Sequence, residues 1–183
     1  MPNADQVPKV INYLFRPEEG RTPQGTYAIL DAARDDKIYP AVVNADIESL
    51  CLYLGDKAVE LSTVAPYLLS LTREDPFTQW LLNTGWGKSW GIFLRSSASL
   101  KELHRHFRKF LMVYDEKGTP LYFRCYDPRV LRMYLPTCNE SELQTVFGPV
   151  DHFYVEGKEE KLLIEFSCTE EFELIQNVIN LEN

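Results

Sequence analysis

The sequence predicts a mixed α/β (α+β) fold: one compact domain with a central mixed sheet flanked by helices, and a small C-terminal hairpin-helix lobe. Three observations predict it. The 183 residues, 45% of them hydrophobic, are enough to bury a sizeable core within one domain. Short apolar runs bounded by turn residues read as buried strands. Between them lie segments with apolar residues at helical spacing and explicit start signals.

In chain order, residues 1–25 mix the breakers Pro2, Pro8, Pro17, Gly20, Pro23 and Gly25 with short apolar pieces, and read as an irregular N-terminal arm. The main body follows over 26–155, with a hairpin/helix extension over 156–183. The run 27–33, YAILDAA, is too short and too apolar for a surface helix and suits a buried strand; 50–54 and 65–71 read as further strands. Asp75-Pro76 offers an N-cap followed by proline at the first helical position, and Phe77, Trp80 and Leu81 continue at helical spacing. Gly85 and Gly87 break that helix before a strand over 90–95. Ser99 and Glu102 form a capping box, with Leu100, Leu103, Phe107, Phe110 and Leu111 along one stripe. A turn at Glu116-Lys117-Gly118 leads to a strand over 121–126. Asp127-Pro128 repeats the cap-plus-proline start for a helix carrying Val130, Leu131 and Tyr134, which Pro136 ends. Asn139 with Glu142 caps a helix closed by Gly148-Pro149. Strands over 153–156 and 161–167 form a hairpin across Gly157, and a helix is expected from Thr169.

Charge narrows the function. With 27 acidic against 19 basic side chains, the net charge of -8 argues against non-specific nucleic-acid binding, whose affinity comes from cations on phosphates. No apolar run approaches the ~20 residues needed to cross a bilayer, and MPNADQVPKVINYLF lacks a basic leader, so a cytoplasmic protein without membrane contact is expected. Cys51, Cys125, Cys138 and Cys168 form no C-x-x-C pair and read as reduced structural residues.

The chemical motifs fail one by one. Gly87-Lys88-Ser89 copies the end of a phosphate-cradling loop, but the required upstream glycine is Leu82. A dinucleotide fingerprint from Gly85 and Gly87 would need glycine where Trp90 stands. His104 and His106, two apart on a helix, diverge by about 200° and cannot chelate one ion; His152 is isolated, so neither metal nor cofactor is expected. For nucleophilic catalysis, Ser96, Ser97 and Ser99 sit where helix capping already explains them. What remains is a surface: Lys101, Arg105, Arg108 and Lys109 form a basic band opposite the apolar stripe of the Ser99-capped helix, which reads either as a solvated face or as a docking strip for an acidic partner segment. Trp80, Trp86 and Trp90 read as core more readily than as contacts, but Trp86, in a glycine-flanked loop, is expected as the exposed aromatic anchor among them, with Trp90 beside it as a partner contact. Arg124, Arg129 and Arg132 read either as ion-paired structural residues or as part of the same surface.

Six strings, YAILDAAR (27–34), APYLLSL (65–71), GWGKSWGIFLRS (85–96), LHRHFRKFL (103–111), YFRCYDPRVLRMYLPTC (122–138) and FGPV (147–150), resemble, in this order, one family. It is the domain-of-unknown-function family of bacterial type VI secretion effector adaptors, also called Tap or TEC chaperones. The resemblance implies a non-enzymatic cytoplasmic chaperone that binds one toxin effector and loads it onto the trimeric spike protein (VgrG). Trp86, Trp90, Arg124, Tyr126, Asp127, Pro128, Arg129 and Arg132 occupy its motif positions; the family assigns them no chemistry, and their use as partner contacts is an expectation of this reading. Two rivals stand beside it: an immunity protein that plugs a toxin, and a hydrolase using a cysteine and a histidine brought together by folding.

Overall fold

The computed structural model describes residues 6–17, 24–114 and 117–182. Among these are seven α-helices and nine strands, a mixed α/β single domain. Seven strands form one sheet: β1 (Gly25–Asp31), β2 (Ser49–Cys51), β3 (Pro66–Leu71), β4 (Gly91–Ser96), β7 (His152–Glu156), β8 (Leu162–Cys168) and β9 (Leu174–Asn180), in the order β2-β3-β1-β4-β7-β8-β9. Where a mixed sheet was expected, every ladder among the described residues is antiparallel. The strands β5 (Met112–Tyr114) and β6 (Pro120–Tyr122) pair separately as a hairpin; the expected strand over 121–126 ends early because Arg124 to Asp127 turn toward the next helix.

The sheet is buried on both faces, and strict alternation sorts its side chains into two cores. Ala28, Leu30, Leu69, Phe93, Tyr154 and Leu163 face one side, against α1 (Gln6–Leu14), α2 (Ile38–Asn44) and α4 (Pro76–Gly85). Ile29, Leu68, Leu94, Phe153, Val155 and Phe166 face the other, against α5 (Leu100–Phe107), α6 (Pro128–Tyr134) and α7 (Glu140–Phe147). The short helix α3 (Asp56–Glu60) buries no side chain. Continuous apolar runs such as YAILDAA are strands because both faces are covered. At Gly91 a Cβ would lie 2.0 Å from the Ile29 carbonyl oxygen on the neighbouring strand, so only glycine lets β4 approach β1 there.

The caps act as expected: Asp75, Ser99, Asp127 and Asn139 each accept a backbone N–H of the first turn, and Ser99/Glu102 and Asn139/Glu142 close as capping boxes.

Two expectations are overturned. Part of the N-terminal arm is a helix, because Val7, Val10, Ile11 and Leu14 recur at i, i+3, i+4, i+7 and are all buried, while Pro8 sits in the first turn, where no N–H is lost from the ladder. Beyond it, Arg16 is ion-paired with the buried Glu165 of β8. Pro2, Gly20 and Pro23 of the arm, and Glu116 of the expected turn, lie outside the described residues. The second correction concerns the helix expected from Thr169, which is strand β9. Leu174, Ile175, Val178 and Ile179 satisfy a helical stripe, but Thr169 and Glu173 close a tight turn, with Phe172 at φ 61°, that returns the chain along β8. The extension therefore continues the main sheet.

Candidate functional site

Three of the quoted strings converge on one rim of the sheet, where β1 ends and β4 begins. The Asp31 N–H donates to the Trp90 carbonyl oxygen at 2.8 Å, which ties the end of YAILDAAR to GKSW. Asp31 is buried; its carboxylate accepts the Ala33 N–H at 3.1 Å and the Arg124 guanidinium. Arg124 stands over the Tyr126 ring, 5.9 Å from its centroid. Next to Tyr126, the buried Asp127 starts α6 by accepting the Arg129 N–H at 2.9 Å, and holds the same residue's side chain through Nε at 3.0 Å and Nη2 at 2.6 Å. Burial pushes the Asp127 carboxyl up, but the Arg129 contacts outweigh it and hold it below its ordinary value.

A second tier lies behind this pair. Arg132, one turn along α6, donates from Nη1 to the carbonyl oxygens of Glu156 at 2.7 Å and Gly157 at 3.0 Å. The buried Glu156 carboxylate accepts the Ser89 N–H at 2.9 Å, and Arg34 donates to the Ser89 carbonyl at 3.2 Å. Burial raises the Glu156 pKa to about 7 despite the backbone donors of Ser89 and Gly87. The motif arginines and acids thus lock β1, the 87–90 loop, α6 and the end of β7 into one unit. Arg124 and Arg129 keep side-chain exposures of 42% and 49%, so each pairs with a buried aspartate while still presenting part of its guanidinium to solvent.

The tryptophans do something else. Trp86, expected as the exposed anchor, is 1% exposed; its indole N–H donates to the Glu160 carbonyl at 2.8 Å and its ring packs near Phe93. Trp90 is likewise buried, tilted against Trp80 with the Lys88 ammonium over its face. Both are corrected from surface contacts to core residues, because the glycines beside them let the loop fold inward: Gly85 leaves room for the Trp90 ring and Gly87 takes a φ of 83°.

The basic band is on the surface. Lys101, Arg105 and Lys109 are exposed and Arg108 is half-buried, while Leu103, His106 and Phe107 face inward from the same helix. A feature that the sequence reading did not single out adjoins the sheet edge at β2: Leu54, Val59, Leu61 and Val64, on the segment between β2 and β3, are exposed. Four apolar positions in LGDKAVELSTV without strand alternation were the available signal.

The histidines bond elsewhere than to thiols. His104 Nε2 reaches the backbone carbonyl of Cys51 at 2.8 Å, His106 Nε2 the carbonyl of Val146 at 2.9 Å, and His152 Nδ1 the Glu165 carboxylate at 3.0 Å. Burial raises all four cysteine thiols, Cys125 to about 12 and Cys168 to about 11, away from the nucleophilic thiolate form. Among the described residues no group of three His, Cys, Asp or Glu side chains is placed to hold a metal ion, and no helix is long and apolar enough to cross a membrane.

The family model described as a domain of unknown function (DUF4123) matches residues 26–145, which include all of the rim network except Glu156 and Gly157. The chain belongs to the DUF4123 family. No curated protein and no solved structure matches it. The stretch matched to DUF4123 starts at the buried β1 and ends within α7, leaving α1 and β7 to β9 outside it.

Proposed function

We propose that this chain is a non-enzymatic adaptor of the type VI secretion system, which binds one cognate toxin effector in the bacterial cytoplasm and loads it onto the trimeric spike protein VgrG. The observation that carries the reading is DUF4123 membership over residues 26–145, with the YFRCYDPR and GWGKSW strings joined through Asp31, which donates to the Trp90 carbonyl and pairs with Arg124. Those strings build a scaffold, and the surfaces left over are the kind that select a protein partner. They are a basic band on an acidic body, an exposed apolar segment beside β2, and an extended edge at β9. Recognition of one partner by shape and charge requires no bond to be made or broken, and neither cofactor nor metal has a role in it.

Co-expression with the toxin-like polypeptide encoded by a neighbouring gene tests the proposal. The expected outcome is one co-eluting peak on size exclusion and a partner that is soluble only in company. Independent elution of the two polypeptides refutes it. Protection of a target cell from the toxin by this chain alone would instead identify an immunity protein.

A further inference from the structure

We infer that the free edge of β9 is a docking strand, which takes an extended segment of the partner protein with basic residues at the end that meets Glu170, Glu171 and Glu173. The inference rests on the adaptor reading and specifies where the partner binds.

β9 is the last strand of the seven-stranded sheet and, among the described residues, pairs only with β8. The ladder is bracketed by two backbone bonds, Leu181 N–H to the Lys161 carbonyl at 2.8 Å and Thr169 N–H to the Glu173 carbonyl at 3.0 Å. In an antiparallel pair the residues that exchange bonds alternate with residues whose N–H and C=O point away. Ile175, Asn177 and Ile179 therefore bond to β8, and Leu174, Gln176, Val178 and Asn180 turn their backbone groups outward. That is four donors and four acceptors in register along seven residues of strand. Gln176, Asn177, Val178 and Asn180 are exposed, Val178 at 57%.

Native sheets blunt such an edge with lysine, proline, a bulge or shortness. The opposite edge, β2, is three residues long. β9, LIQNVIN, has no charge and no proline. A long unprotected edge is a template for β-augmentation, in which main-chain bonds supply affinity and neighbouring pockets supply specificity. Such a pocket adjoins it: a groove of about 630 Å³ on the α7 side of the sheet, lined by Leu135, Cys138, Leu143, Phe172 and Leu174 among others.

Charge selects the occupant. From Leu162 to the last residue the chain carries five acids, Glu165, Glu170, Glu171, Glu173 and Glu182, and no lysine or arginine. Glu165 is buried in its contacts with Arg16 and His152, and Glu182 pairs with Lys161 beside the Lys9 ammonium on the Leu181 carbonyl, so the acids that charge one end of β9 are the exposed Glu170, Glu171 and Glu173. A partner strand with lysine or arginine at the end that meets them is attracted there.

The experiment uses the full chain and the co-expressed neighbouring polypeptide, with amide exchange followed residue by residue. In the free chain the amides of Leu174, Gln176, Val178 and Asn180 exchange fast while those of Ile175, Asn177 and Ile179 are protected. In the complex all seven are protected. Val178→Pro removes an outward N–H and no bond to β8, so it keeps the fold and weakens the complex by about a hundredfold. Should that variant misfold, Glu170→Lys with Glu171→Lys, both on exposed side chains, is expected to weaken the complex about tenfold at low salt. A wild-type complex that leaves the four outward amides fast, or that tolerates these substitutions, overturns the β9 site while the adaptor reading stands. Protection of the same amides in a dimer of the chain alone overturns the choice of occupant. Absence of any wild-type complex removes the adaptor reading, and this site with it.

Discussion

Asp31, Asp127 and Glu156 are three buried carboxylates stabilised in different ways. The two aspartates pair with partly exposed arginines, Arg124 and Arg129. Glu156 has backbone donors and a guanidinium that is spent on carbonyl oxygens, and its pKa rises to about 7 from the ordinary 4.5. The folded state therefore holds a proton that the unfolded chain gives up. The corresponding stability is fully present below about pH 4.5 and is lost as pH rises through about 7, a difference of at most about 3 kcal/mol. Glu156→Gln is expected to flatten the pH dependence of stability across that window and to leave a protein more stable than wild type above pH 7; urea titrations at pH 5, 6, 7 and 8 read both. An unchanged slope would mean that Glu156 is ionised in the fold throughout.

The helix α5 shows one element serving two purposes. Its inner face is set by Leu103, His106 and Phe107, and burial holds His106 below its ordinary pKa despite its contact with the Val146 carbonyl. Its outer face carries Lys101 and Arg105, with Arg108 and Lys109 just past the last turn, where cations also complement the helix dipole. Arg105→Glu with Arg108→Glu is expected to weaken an effector complex about tenfold or more, while thermal stability drops by less than about 1 kcal/mol because Arg105 is exposed and Arg108 only half-buried. Isothermal titration and a melting curve on the same preparation decide it. Unchanged affinity would leave the band an ordinary solvated face.

The two hydrophobic cores share one sheet, with β1, β3, β4, β7 and β8 each contributing side chains to both. Trp80, Trp86 and Trp90 all belong to the first core or pack against it, whereas the far side is built from residues such as Phe107, Phe147 and Phe153. Since neither core survives without the sheet between them, unfolding is expected to be one cooperative transition. Phe153→Ala, on the side without tryptophan, should shift the tryptophan fluorescence transition and the far-ultraviolet dichroism transition together, by about 3–5 kcal/mol. Separate midpoints would divide the domain into two units.

Local signals were sufficient wherever the deciding interaction spans a few residues. Asp75-Pro76, Ser99 with Glu102, Asp127-Pro128 and Asn139 with Glu142 start their helices as their spacing says, because a cap bonds within its own first turn. The buried strands were legible from apolar runs too short to be helices. Three features needed the folded chain. The stripe of Leu174, Ile175, Val178 and Ile179 fits a helix or a strand equally, and β8 alone selects the strand by offering its open ladder. Trp86 turned inward because a carbonyl 74 positions away, at Glu160, was there to take its N–H. The motif acids and arginines find partners as far apart as Asp31 and Arg124, 93 positions away. Spacing along a chain carries no information about contacts that only sheet order creates, and the rim network and the open β9 edge are both of that kind.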